Sequence, residues 1–348
     1  YSALVLLDNQ KRMMYYLMVL VLLFLAEFFY FRVADRYNII DKPNERSSHT
    51  KVTLRGGGII FYFGALAYFL TSGFEYPWFL LALTLVTFIS FVDDIKPPED
   101  DKAAFSFLCY GYDVLSVGAV LLVLVVDSHS LDSLYGHHQC LQFYGWDNGI
   151  TGGYSLVILA ALAYVNKEVV TFVEADFIYT VICSVLVFCF FNFRKRAKCF
   201  AGDVGSVSIA SSFFFDRRLI IGTGDFSWIV LLSVYGVDSV LTIIHRLMLH
   251  ENIGLPHRKH LYQIMANELK IPHVIVSLTY MAVQAIIIVD ILIKLACLIC
   301  QLVNQYFMNL SQKTASARLF SLFTGKYILT FALLINKTRL KTMLKLKM

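Results

Sequence analysis

Phe191 to Ser206, FNFRKRAKCFAGDVGS, sets four cations (Arg194, Lys195, Arg196 and Lys198) beside a Gly-Asp-Val-Gly-Ser turn with one carboxylate, Asp203. Cations pair with phosphate oxygens, and a lone carboxylate is a hard oxygen ligand for a divalent metal. The stretch therefore has the chemistry to hold a polyphosphate and its accompanying metal. The same letters also fit a positive-inside anchor followed by an ordinary turn.

Other stretches carry related chemistry. Asp41 to His49 (DKPNERSSH) precedes Arg55-Gly56-Gly57-Gly58, so Arg46, His49 and Arg55 can grip phosphate while the glycines admit an anion to backbone N–H groups. The bland alternative is a basic juxtamembrane loop with a glycine turn. Asp93 and Asp94 end an apolar run. Adjacent helical residues point about 100° apart, so the two cannot easily ligate one metal from a regular helix. One can face a site while the other caps or steers. Trp146 to Gly153 (WDNGITGG), with Asn148, is a glycine-rich turn of the kind that also serves as a plain linker. In Pro256 to Gln263 (PHRKHLYQ), Pro256 suits the first turn of a short helix, which would put His257, His260, Leu261 and Ile264 on one face. No third ligand lies near the two histidines, so a structural zinc site is rejected. With Arg258 they suit a diphosphate.

The elements that must position these loops are apolar. Of 348 residues, 58% are hydrophobic and only 16% charged, and the mean hydropathy is +0.65. This excludes a soluble enzyme of usual make-up. Apolar runs of roughly 16 to 22 residues match a ~30 Å hydrocarbon core. The expected fold class is all-α: a polytopic integral membrane protein with about ten transmembrane helices and catalytic cytoplasmic loops. The expected spans are Met13–Val33, Gly57–Thr71, Pro77–Val92, Phe107–Val126, Gly153–Val165, Phe177–Phe193, a weak Val207–Ile221, Phe226–Ile244, His273–Ile293 and Leu319–Ile335. They form one multi-pass domain over residues 1–348. Lys and Arg concentrate in the loops 36–55, 194–198 and 246–270, which places those loops in the cytoplasm. The net charge of +5 serves orientation rather than nucleic-acid binding. The cysteines, seven in all, lie mostly in apolar runs and suit core packing.

In order, D-x-P-N-x-R-x-x-H with a following GGG, the Asp-Asp pair, N-G-x-x-G-G, F-x-G-D-x-G-S and P-H-R-x-H-L resemble the polyprenyl-phosphate N-acetylhexosamine-1-phosphate transferases. The resemblance is closest to the bacterial undecaprenyl-phosphate N-acetylglucosaminyl-1-phosphate type, within glycosyltransferase family 4, and covers about residues 37–287. It implies transfer of N-acetylhexosamine-1-phosphate from a UDP-sugar to a membrane polyprenyl phosphate, with release of UMP and with Mg²⁺, or Mn²⁺ in its place, as cofactor. It implies Asp203, with Asp93, as metal ligands, and Asp93, Asp94, Asp203 and His257 as catalytic residues. Phe200 would stack on uracil. Arg46, His49, Asn148, Asn192, Lys198, Gly202, Ser206, Arg258 and His260 would bind the two substrates. It also implies the bacterial inner membrane and raises a homodimer. A phosphate monoester is mostly dianionic near neutrality, its second pKa being about 6, so the lipid nucleophile needs charge screening more than a base. Asp93 or Asp94 then positions rather than attacks.

The chain departs from the family pattern in the third loop. Aligned on Asn148-Gly149, it has Gln142 and Gly145 where the family carries Asn and Asp. Residues 127–144 are too polar to cross, which puts Asn148 on the opposite side from Asp203 if Phe107–Val126 crosses once. A catalytically impaired relative that binds nucleotide sugar or lipid phosphate is therefore the second reading, and an unrelated multi-pass transporter the third.

Overall fold

A computed structural model of the chain describes residues 2–41, 52–95, 149–194, 196–211, 214–251 and 258–313. The chain divides into two units, Tyr1–Ile286 and Ile287–Met348.

In the first unit, α1 (Ser2–Arg36) is followed by a two-stranded antiparallel ribbon, β1 (Ile40–Asp41) with β2 (Thr53–Leu54), in register Ile40 to Leu54. Asn38 makes the turn between α1 and β1 with a φ of 53°, a conformation asparagine tolerates better than most residues. Then come α2 (Ile59–Thr71), α3 (Pro77–Ile95), α4 (Ile150–Glu168), α5 (Ala175–Asn192), α6 (Gly202–Ser211) and α7 (Phe214–Thr223). A 3-10 segment (Phe226–Leu232) leads into α8 (Ser233–Met248), and α9 starts at His273. In the second unit the described residues, up to Lys313, are helical, with Asp290 and Lys294 paired across one turn.

Among the described residues, five helices are long and apolar enough to cross a membrane: Gln10–Arg36, Ile150–Glu168, Ala175–Asn192, Phe226–Met248 and His273–Lys294. Ile59–Thr71 and Pro77–Val92 are shorter apolar helices. The expected count of about ten is therefore not reached among the described residues. The expected spans Phe107–Val126 and Leu319–Ile335 lie outside them. Val207–Ile221 is not one span but parts of two ten-residue helices, α6 and α7. Phe226–Ile244 begins as a 3-10 helix, its first turn capped by Asp225, which accepts from the Ser227 N–H.

The centre of the first unit is α5, which packs against α1, α2 and α4. Gly64 of α2 lets the helices close: a Cβ there would sit 2.6 Å from the Ser184 side chain. At one end of α5, Phe177 stacks on Tyr68 at 4.5 Å and meets Phe69, Phe79 and Phe215 edge-on. At the other end Phe188 meets Phe61, and Phe191 meets Phe31. By contrast α1 presents Leu17, Leu22, Leu25 and Phe29 outward. A helix apolar on its exposed face as well as its packed one suits lipid rather than water.

Connectivity gathers the chemistry. Helices α2 and α3 are joined through residues 72–76, and α4 and α5 through residues 169–174. Such short links make antiparallel pairs, so the start of α2 lies with the end of α3, and the start of α4 with the end of α5.

Candidate active site

Where α2 begins and α3 ends, three segments meet. The Gly57 N–H donates to the Phe200 carbonyl at 2.9 Å and the Gly58 N–H to the Ala201 carbonyl at 3.0 Å. The Phe200 N–H donates back to Leu54, and Leu54 and Cys199 form a parallel bridge. Glycine is needed because the backbones nearly touch: a Cβ on Gly58 would lie 2.2 Å from the Gly205 Cα. This corrects the expectation that these glycines offer N–H groups to an anion. Gly57 and Gly58 spend theirs on the Phe200–Ala201 backbone.

Arg55 is the hub of the assembled end. Its Nε donates to Asp94 Oδ1 at 2.5 Å and its Nη2 to Asp203 Oδ2 at 2.7 Å. The Tyr30 hydroxyl from α1 donates to the Arg55 carbonyl. The Asp94 side chain is fully buried and also accepts the Asp203 N–H on Oδ1 and the Val204 N–H on Oδ2. It thus holds the first turn of α6 from below, where a carboxylate suits the positive end of a helix. Burial pushes the Asp94 carboxyl up, to about 7, and the Asp203 carboxylate adds to the push, while Arg55 and the two N–H groups oppose it. Gly202 has a φ of 70°, and a Cβ there would sit 2.6 Å from Asp94 Oδ2. Only glycine allows this approach.

Asp203 differs from Asp94. Its side chain is 22% exposed, and Oδ1 has no partner among the described residues. A magnesium ion takes hard oxygen ligands, commonly one or two carboxylates with substrate phosphates and waters. Asp203 fits that role through Oδ1. Asp94 does not, since both its oxygens are committed. Asp93 is described only as a backbone position at the end of α3. Among the described residues no three His, Cys, Asp or Glu side chains cluster as a metal cage.

The remaining predicted site residues fall into distinct places. The Asn192 side chain is buried, donates to the Cys199 carbonyl at 2.8 Å and accepts the Gly149 N–H at 2.6 Å. It therefore ties the start of α4 to the Asp203 loop. This removes the expected topological conflict, for the residue after Asn148 sits at the Asp203 end. The Ser206 hydroxyl is buried and donates back to the Gly202 carbonyl, and Phe200 is buried in the core. Lys198 stands over the rings of Phe28, Phe31 and Phe191. Arg46, His49, Asn148 and His257 lie outside the described residues, as do Gln142 and Gly145.

The loop with Arg258 and His260 is held by α8. The Leu261 N–H donates to Asp238 Oδ1 at 2.9 Å, and the Tyr280 hydroxyl donates to Asp238 Oδ2 at 2.9 Å. His260 Nδ1 lies 3.8 Å from Asp238 Oδ2 and 3.4 Å from the Thr242 hydroxyl. Burial pushes the His260 pKa down and Arg246 adds to this, against the pull of Asp238. Glu251 pairs with Arg246 at 3.3 Å and with Lys259. Arg258 is exposed. The expected shared helix face does not form. His260 is extended and precedes a single turn, Leu261–Gln263, that passes into the π-helix Ile264–Glu268. His260 is buried while Leu261 is 54% exposed. The Asp238 carboxylate, by taking the Leu261 N–H, starts the helix after His260 rather than at Pro256.

Three contributors escaped the sequence reading. Tyr30 sits within an apolar span. Arg55 was one of several phosphate-gripping candidates, and nothing in spacing showed that it would bridge two acids. Asp238 sits within the apolar run Phe226–Ile244, and an acid within such a run is itself a signal of function.

What the described residues assemble at this end of a bundle of apolar helices is an arginine fork across two carboxylates, one sealed beneath a helix start and one open. Residues 143–215, which run from the third loop through the Asp203 turn, match the model for glycosyl transferase family 4. The chain is also 26% identical over 261 residues to a protein of Bacillus subtilis (strain 168) named probable undecaprenyl-phosphate N-acetylglucosaminyl 1-phosphate transferase; the similarity covers 66% of this chain and 70% of that one. Both findings support the family read from the motifs, and both are to transferases.

Proposed function

We propose that the protein transfers N-acetylhexosamine-1-phosphate, as N-acetylglucosamine-1-phosphate, from a UDP-sugar to a polyprenyl phosphate in the membrane. The products are a polyprenyl-diphosphate-sugar and UMP. The observation that carries this reading is the Arg55 fork between Asp94 and Asp203, at the end of the bundle where Asn192 ties Gly149 to the Cys199 carbonyl. In this reading Asp203 Oδ1 holds Mg²⁺, which when bound screens the phosphates of the two substrates. Asp94 fixes the first turn of α6 and so aims Asp203. Arg55 keeps the two like-charged carboxylates together and supplies positive charge where phosphate oxygens gather. The lipid phosphate, already mostly dianionic at neutral pH, attacks the sugar-bearing phosphorus, and the phosphate of UMP leaves with the bond electrons. The active loops are read as cytoplasmic.

The test is UMP release by the purified chain with Mg²⁺, UDP-N-acetylglucosamine and polyprenyl phosphate. Turnover is expected, and Asp203→Asn is expected to abolish it while leaving the melting temperature within a few degrees. Unchanged turnover in that variant overturns the role of Asp203. Nucleotide-sugar binding without UMP in the parent chain would favour a binding relative, the reading that Gly145 in the third loop recommends.

A further inference from the structure

Three cations on the seam between α1 and the end of α5 stand on aromatic rings. The Lys198 ammonium is 4.6 Å from the Phe31 ring centroid, 5.5 Å from Phe28 and 5.9 Å from Phe191. Arg32 lies 5.3 Å from Phe28. Arg194 lies 4.6 Å from Phe190 and 5.8 Å from Phe191. Because Arg32 shares Phe28 with Lys198, and Lys198 shares Phe191 with Arg194, the three cations form one continuous patch. All three are exposed. Among the described residues neither Arg32 nor Lys198 has a carboxylate at ion-pair distance. Glu27 is the acid within electrostatic reach of Lys198, but it is fully buried and accepts from the Cys199 thiol.

Arg32 and Lys198, like charges over one Phe28 ring, repel each other, and an anion that joins them removes that cost. The level of the patch says which anion. It lies at the ends of Gln10–Arg36 and Ala175–Asn192, both long enough to span a bilayer, and spans end among lipid headgroups. Phe28, Phe29 and Phe190, exposed by 43%, 68% and 55%, continue it toward the apolar length of the helices, as acyl chains continue a headgroup.

We propose that Arg32, Arg194 and Lys198, floored by Phe28, Phe31, Phe190 and Phe191, form a binding site for the headgroup phosphate of an anionic membrane phospholipid. The occupant is a structural lipid of the bilayer, not the polyprenyl phosphate acceptor. The site depends only on α1 and α5 crossing a membrane and not on the transferase reading.

The experiment titrates phosphatidylglycerol and phosphatidylcholine onto the purified full chain and reads bound lipid by native mass spectrometry and by thermal shift. Phosphatidylglycerol is expected to bind more tightly and to raise the melting temperature. Arg32→Gln and Lys198→Gln are each expected to weaken that binding about fivefold, the worth of one basic residue at an anionic surface. Lys167→Gln, at the other end of α4, is expected to change nothing. Lys198→Arg keeps the charge over the rings and should retain binding, which separates lost affinity from lost folding. Equal affinity for the two lipids, or unchanged phosphatidylglycerol binding in both Gln variants, overturns the proposal. So does displacement of phosphatidylglycerol from the patch by stoichiometric polyprenyl phosphate, which would make it an acceptor site. Because the readout is lipid retention, failure here is distinct from failure of UMP release.

Discussion

Arg55 bridges two carboxylates that would otherwise repel each other. The guanidinium can do so because its Nε and Nη2 point along separate edges of one rigid plane. Lysine offers a point charge and cannot make both bonds from one place. Arg55→Lys is therefore expected to lower kcat for UMP release about 100-fold with a smaller change in KM, and steady-state kinetics would show the split. Arg55→Ala leaves two acids facing each other, one fully buried, and is expected to destabilise the fold by about 3–5 kcal/mol, measurable as a loss of melting temperature. A kcat near the parent value in Arg55→Lys would remove the fork from the mechanism. Asp203 could be picked out in the sequence because it stands alone among cations and glycines. The pairing of Arg55 with Asp94 could not, since 39 residues separate them and only the antiparallel α2–α3 hairpin brings them together. Adjacency of Asp93 and Asp94 did not say which would meet Arg55; Asp94 does.

At the scale of elements, the segment from Arg258 to Glu268 shows a local rule giving way to tertiary context. Pro256 and the histidine spacing favour a helix through His260, yet the Asp238 carboxylate on α8 captures the Leu261 N–H and the helix starts one residue after His260. This buries His260 against Thr242 and Asp238, where its pKa falls below the ordinary value of about 6.5. A histidine kept neutral in the fold contributes stability that is present above its unfolded pKa and lost as the pH falls through its folded one. The melting temperature of the chain is thus expected to drop as pH is lowered from about 7 toward 5, and His260→Gln is expected to flatten that part of the profile. A parent profile as flat as the variant's would show that protonation of His260 carries no cost. The long apolar helices were legible because length and hydropathy suffice to mark them. Where charge interrupts an apolar run, as at Asp216 to Arg218, one expected span became α6 and α7, and the 3-10 start of the next was invisible because 3-10 and α share nearly the same period.

At the scale of the molecule, the site is assembled from segments far apart in the chain: Arg55 lies 148 residues from Asp203, and Asp94 lies 109 from the same turn. Neither hairpin holds the site alone. Loss of activity on heating and loss of the first unit's tertiary structure are therefore expected at the same temperature, followed by UMP release and intrinsic fluorescence on one sample. Activity that disappears well before the fluorescence transition would show that the site opens as a separate local unit. The membrane class was plain from composition, because a chain this apolar has nowhere else to put its surface. The arrival of Gly149 beside Asn192 was not plain, since counting single crossings through a polar stretch put its neighbourhood on the opposite side from Asp203.

The start of α4 is tied to the Cys199 carbonyl by one amide group. The Asn192 side chain accepts from Gly149 on its oxygen and donates to Cys199 from its nitrogen, so a single residue at the end of α5 must own both an acceptor and a donor at a fixed reach. Aspartate keeps only the acceptor, leucine keeps neither, and glutamine carries both one methylene too far. Of these four side chains, asparagine alone meets both demands at position 192.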